Sequence, residues 1–381
     1  MTGGTRQGDR LRIVVVGAGI TGLLAAIRCV LAGHRVVLLE RGPIPHPGST
    51  SFDQHRALRA LVADDPAATI RAARLHRRWR ELDSLLRGHL SGAPLYRRVG
   101  VLTALPPDEV ASAIATAEAT GLPIRKVDPT DYPHIGFPAG TALVLEPHAG
   151  VLLADRILHA AARWLRHHPL ADLRPGREVL GVRPDSGRVE LADGMAESGD
   201  IVLVAAGPWS AALLDLPVNL HCQTMVYLRP PAELVHHWAV TPTAGGIGAD
   251  GRAWLLPSVA GTLVKISTDA VRREVSALSD PDDRTGLDET AGLDDTAGLD
   301  DTAGWVGRVL SAGMVSEVDR YRVVAVRHCH YATQAGGDTG FVRVGPAVWA
   351  RPASGGDGFR TAPHAVDAVV GELASRAAAP A

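Results

Sequence analysis

One stretch restricts this chain more than any other: residues 11–40, LRIVVVGAGITGLLAAIRCVLAGHRVVLLE. Leu11, Ile13, Val14, Val15 and Val16 form an apolar, β-branched run, as expected of a strand covered on both faces. Gly17, Gly19 and Gly22 follow at G-x-G-x-x-G spacing. A helical run comes next (Leu23, Leu24, Ala25, Ala26, Ile27, Val30, Leu31) and stops at Gly33, a natural residue just past a helix end. A second strand, residues 35–39, ends on Glu40. Each part has a physical task. Gly17 permits the tight turn, Gly19 lets backbone approach a pyrophosphate, and Gly22 lets helix and strand pack closely. Ile20 and Thr21 fall at the helix N-terminus, where free N–H groups and a partial positive charge suit an anion. Glu40 comes 21 residues after Gly19, the offset at which an acid meets ribose hydroxyls. The glycines alone are a weak signal; with strand, helix and acid in place they predict a dinucleotide site, FAD or NAD rather than NADP.

The chain has 381 residues, room for a large core and two domains. Its formal charge of −2 offers no basic surface for nucleic acid or bulk membrane. No apolar run approaches the ~18 residues of a membrane span, and the polar residues 1–10 lead directly into the first strand, unlike a secretory signal. Cysteines number three, Cys29, Cys222 and Cys329, which points to a reducing cytoplasm rather than a disulfide framework.

Beyond Glu40 and Arg41 lies a proline-rich loop, then GSTSFDQHRALR at 48–59. Arg56 and Arg59 are three apart and share one side if this is a helical turn. They suit an anion, cofactor phosphate or substrate carboxylate; the alternative is a solvated basic face. Residues 66–90 read as an amphipathic helix with Ile70, Leu75, Trp79, Leu82 and Leu86 inward, 96–105 as a strand, 108–120 as a helix closed by Gly121, and 154–167 as a helix. Residues 177–182 and 188–191 form a small ribbon. A buried strand from Asp200 ends in AAGPWS, where Gly207 leaves room for a nucleotide beside Trp209. From Leu213 onward the character is antiparallel, with strands at 221–229, 238–240, 253–257 and 262–267. Residues 286–303 are three acidic hexads, GLDETA, GLDDTA and GLDDTA, read as a solvated insertion. A strand at 322–328 leads to Cys329, another lies at 341–344, and the loop 352–360 feeds a helix at 361–376. That loop holds Gly355, Gly356, Gly358, Phe359 and Arg360, and forms a second positive pole able to stabilise an anion.

These residues together resemble the D-amino-acid-oxidase superfamily of flavoenzymes, in particular its sarcosine, N-methyltryptophan and pipecolate oxidases and the nikkomycin-pathway amine oxidase. The likeness rests on the fingerprint with Glu40, on GSTSFDQHRALR with Ser49 and Thr50, on GVL at 100–102, EPHAGVLLADRI at 146–157, AAGPWSAALL at 205–214 and SGGDGFRTAP at 354–363. It implies an α/β fold, α+β overall: a Rossmann-like FAD-binding domain (10–84, 147–214, 325–381) and a substrate domain on a mostly antiparallel sheet (85–146, 215–324), with the acidic insertion at 285–304. It also implies FAD tethered through Cys329, oxygen activation at Lys265, and a substrate carboxylate held by Arg59 and Arg360, with Arg56 near the flavin ring. Arg360 stands where the family has lysine, Asp269 where sarcosine oxidase has a pocket histidine, Thr50 and Ser51 where it has a histidine pair, and Phe52 where it has glycine. One residue is inserted before Arg56. The expected activity is oxidation of a C–N bond in a secondary or cyclic amino acid by a monomeric cytoplasmic enzyme using O2. The alternatives are a dehydrogenase of a biosynthetic intermediate with another electron acceptor, and a catalytically inactive nucleotide-binding scaffold.

Overall fold

The computed structural model describes residues 10–278, 302–334 and 340–377. Its first sheet has six strands in the order Val342–Arg343, Val348–Ala350, Ile201–Val204, Arg12–Val16, Arg35–Leu39, Ala171–Arg174. All neighbours are parallel except the first pair. The order reverses at Arg12–Val16, so the crevice beyond the C-terminal ends of these strands is where ligands of such sheets bind.

Both faces of this sheet are covered, which explains the unbroken apolar runs. On one face pack helices Ile20–Leu31, Ala154–Arg166 and Gly358–Ala377, with Leu23, Ile27, Leu158, Val366 and Val369 in a shared core. On the other lies an antiparallel ribbon of Val179–Arg183, Arg188–Leu191 and Ala196–Ser198, whose Val182, Val189 and Leu191 meet Val14, Val37 and Val202.

The second large sheet is built on Asn219–Arg229. Arg322–Thr333 pairs antiparallel along its whole length; Val264–Thr268 and Arg273–Val275 share its other edge. The sheet continues through Ala253–Leu256, Thr243–Ile247, Val101–Leu105, Ala142–Glu146 and Arg125–Val127. One face buries Leu102, Ala244, Leu255, Ile266, Val226 and Trp238. The other faces the first sheet's crevice.

Several expectations need correction. Arg56 and Arg59 are not on a helical turn: Arg56–Leu58 is a strand paired with Gly150–Leu152, and Arg59 follows it. Residues 238–240 belong to helix Val235–Val240, not a strand. Ile70 is 42% exposed, although Leu75, Trp79, Leu82 and Leu86 are buried as read. The strand at 96–105 is broken by Gly100, which adopts φ +84°. Cys329 lies inside Arg322–Thr333 rather than after it. The last helix starts at Gly358, so Phe359 and Arg360 are in its first turn. The acidic hexads lie outside the described residues, apart from the positions that open helix Thr302–Leu310. No helix of the described residues is long and apolar enough to cross a membrane.

Candidate functional site

A cavity of about 870 Å³ lies between the two large sheets. That is the size of pockets that enclose a cofactor with its substrate. Its walls include Gly17, Gly19, Ile20, Thr21, Glu40 and Arg41 from the opening unit, and Ser49, Thr50, Arg56 and Arg59 from the segment after it. Gly207, Trp209, Lys265, Asp269 and Cys329 also line it, as do Gly355, Gly356, Gly358, Phe359 and Arg360. Gly22 does not reach the cavity. Its absent side chain lets the helix close on the turn, since a Cβ there would lie 1.8 Å from the Gly17 carbonyl oxygen.

The nucleotide end fits a dinucleotide on three observations. Gly17 adopts φ +97°, and a Cβ on it would come 2.7 Å from the Ala205 carbonyl oxygen. Helix Ile20–Leu31 has no acidic residue in its first turn, which leaves its positive end uncompensated toward the cavity. Glu40 accepts the Ala18 N–H at 2.8 Å, which fixes its carboxylate at the end of the second strand. Residues of this set could hold FAD. Arg41 packs over the Trp209 ring at 5.2 Å.

Sequence reading missed the residue that ties the two ends of the chain together. Arg351, 3% exposed, donates to the Thr21 hydroxyl at 2.9 Å, the Gly358 carbonyl at 3.2 Å and the Thr361 hydroxyl at 2.7 Å. It joins the start of the first helix to the start of the last. Its position just before the glycine-rich loop was the only local hint.

The centre of the site is a buried ion network that also escaped notice. Asp53 is fully buried. Its Oδ2 accepts from Lys265 Nζ at 2.5 Å and from Arg56; its Oδ1 accepts from the Tyr227 hydroxyl at 2.9 Å and the Gln54 N–H at 2.6 Å. Burial alone would raise the Asp53 carboxyl, but Arg56, Lys265 and Arg327 hold it well below the usual carboxylate range. Burial, and then the Arg56 charge, push the Lys265 ammonium down to about 8 against the pull of Asp53. Arg56 also donates to the Thr50 carbonyl at 2.7 Å, and the Thr50 hydroxyl donates to the His330 carbonyl at 2.8 Å, next to Cys329. The Cys329 side chain is 3% exposed.

Arg59 and Arg360 come together on the cavity wall. Among the described residues Arg59 has no ion-pair partner; its guanidinium donates to the Leu61 carbonyl at 3.2 Å. Its side chain is open to the cavity, yet partial desolvation by the cavity walls, and then the neighbouring Arg360 charge, lower its basicity. Glu146 fixes the backbone just beyond it, accepting the N–H groups of Ala60 and Leu61 at 3.0 Å. Arg360 is paired with Asp357 at 2.5 Å and reaches the Arg59 carbonyl at 3.4 Å. Phe359 turns its ring to Trp79, stacked at 5.6 Å, and to Arg56 at 5.9 Å, so it packs the wall from behind. Asp269 is exposed and lies at the rim. Among the described residues no cluster of three or more metal-ligating side chains occurs.

The family described as DAO, FAD dependent oxidoreductase, matches residues 12–364. Monomeric sarcosine oxidase of Bacillus sp. (strain B-0618) is 25% identical over 236 residues, 57% of this chain and 57% of that protein. Glycine oxidase of Pseudomonas aeruginosa is 29% identical over 226 residues, 54% of this chain and 59% of that protein. The matched stretches thus span under two thirds of these relatives' lengths. Iminodiacetate oxidase of Chelativorans sp. BNC1 superposes with TM-score 0.73 at 20% identity, over 96% of this chain and 95% of that one. A modified fructosyl peptide oxidase of Aspergillus nidulans gives 0.75 at 15%, over 97% and 91%. At such identities these structures speak for the fold alone. With the dinucleotide turn, the two-sheet architecture and a match over most of its length, the chain belongs to the FAD-dependent oxidoreductase family.

Proposed function

We propose that this chain oxidises a C–N bond in an amine that carries a carboxylate, giving an imine and hydrogen peroxide. The observation that carries the reading is Arg59, which opens onto the cavity that also holds Lys265 and has no ion-pair partner among the described residues. A guanidinium fork presented to a cavity without an acid of its own binds a carboxylate through two charge-assisted hydrogen bonds, and a substrate carboxylate supplies that partner. Arg360 adds a second guanidinium from the last helix, already steadied by Asp357. Together they would fix the carboxylate and so orient the amine, which is positioning catalysis.

The residues that would hold FAD are those of the glycine turn, Glu40, Arg41, Ser49, Thr50, Gly207, Trp209 and the loop at 354–360. When bound, FAD supplies the two-electron redox chemistry. Cys329 is the candidate for a thioether to it. Lys265 keeps a fixed positive charge, held by Asp53, at the place where negative charge develops on oxygen during reoxidation. Asp269, exposed on the cavity wall, is a polar group available to the rest of the substrate.

The test is peroxide release from a panel of glycine, N-methyl, cyclic and primary amino acids, each paired with its decarboxylated amine. The expected result is peroxide with the acids and a loss of about 10–10² in kcat/KM for Arg59→Gln, the worth of a charge-assisted hydrogen bond. Equal turnover of the decarboxylated amines, or no effect of Arg59→Gln, would overturn the reading.

A further inference from the structure

Strands Val101–Leu105, Thr243–Ile247, Ala253–Leu256 and Val264–Thr268 lie side by side. Across them Thr103, Gly245 and Trp254 are direct neighbours on one face, and Leu256 pairs with Lys265 on that same face. All five line the cavity. The middle of this row is a glycine. A Cβ built on Gly245 has no heavy atom within 4 Å. The missing side chain therefore leaves open space inside the cavity, not a packed contact.

The backbone does not require glycine there. The bulge between Gly245 and Ile247 is taken by Gly246, which adopts φ +73° and whose Cβ would lie 2.5 Å from the Ala104 carbonyl oxygen. Gly245 has no positive φ. A glycine inside a strand weakens it, and one without a backbone reason marks the close approach of something else. Trp254, directly across, does not cover the gap. Its ring lies 5.5 Å from Lys265 Nζ, and none of its atoms comes within 4 Å of the Gly245 Cβ position. A slot results, floored by backbone and flanked by an indole and by Thr103.

We infer that Gly245 sets the size of the substrate: the natural substrate carries a planar ring that lies over Gly245 beside Trp254 while its carboxylate meets Arg59. The inference rests on the carboxylate-anchor reading above and adds the chemical class of the other end of the molecule. A ring is favoured over a flexible chain because the slot is bounded by an aromatic side chain, and flat groups stack there without losing rotamer freedom.

The probes are acetate and phenylacetate, which lack the amine and cannot turn over, titrated calorimetrically into the cofactor-loaded protein. Phenylacetate should bind the wild type about 10–100-fold more tightly than acetate, the worth of burying a ring. Gly245→Val should remove most of that preference and leave acetate within about twofold. Gly245→Ala, a smaller intrusion, should fall between. Equal affinities in the wild type, or a Gly245→Val that weakens both probes alike, would overturn the inference. Probe binding that ignores Arg59→Gln would instead overturn the functional reading and this inference with it.

Discussion

Replacing Asp53 by asparagine tests the core of the site. The change keeps the shape and one acceptor for Tyr227 but removes the negative charge that contacts both Lys265 and Arg56. Lys265, Arg56 and the nearby Arg327 are then left without the carboxylate that balances them. Breaking a buried pair in this way costs about 3–5 kcal/mol. Part of the loss is relieved because Lys265 can shed its proton. Its basicity is already pushed down to about 8 by burial and Arg56, with Asp53 the larger of the influences that oppose this, ahead of Cys329. The lower end, about 3 kcal/mol, is therefore expected at neutral pH. Lys265→Met in the Asp53→Asn background removes one orphaned cation, so the double variant should recover about 1–3 kcal/mol relative to additivity. Urea unfolding of the four proteins at equal cofactor occupancy measures this. The pH dependence supplies a second check. Asp53 titrates below its unfolded value, so its stabilisation is complete above about pH 4 and is lost as pH falls further. The gap between wild type and Asp53→Asn should close in acid. A gap under about 1 kcal/mol at pH 7, additive single effects, or a gap that persists at acid pH would refute the network's role.

Three further outcomes follow from the same geometry. Lys265 should lose its charge as pH rises through about 8, so the second-order rate of reoxidation by O2, followed by stopped-flow absorbance, should fall across that range; Lys265→Met should abolish the pH limb and slow the step by about 10²-fold. Gly22→Ala places a methyl group 1.8 Å from the Gly17 carbonyl, and should cost about 1–3 kcal/mol of stability together with cofactor retention through gel filtration. Cys329→Ser should leave the acid-precipitated pellet colourless where that of the wild type is yellow.

What the sequence disclosed and what it hid divide along distance in the chain. The glycine turn, its flanking strands and Glu40 were readable because their meaning lies in local spacing. Asp53 was not, because its partners Tyr227 and Lys265 are 174 and 212 positions away. A lone aspartate in a polar stretch looks solvated, and only the folded chain brings two cations and a phenol to it. Arg351 was hidden for the same reason, with Thr21 330 positions distant. Arg56 and Arg59 line one cavity, but Arg56 opens a three-residue strand too short to show its period of two and Arg59 follows it. Trp238 misled because a buried tryptophan beside a 74% exposed Val240 fits a short helix as well as a strand edge. Gly245 sits in a strand, Thr243–Ile247, that the sequence pattern left unassigned, and the open space above it exists only in the fold.

The strand Val348–Ala350 lies against Ile201–Val204, and Arg351 reaches back to Thr21. During synthesis, then, the opening glycine turn emerges from the ribosome hundreds of residues before its roof. Until then the edge of Ile201–Val204 lacks its parallel neighbour, and the mouth of the first helix lacks the arginine that braces Thr21.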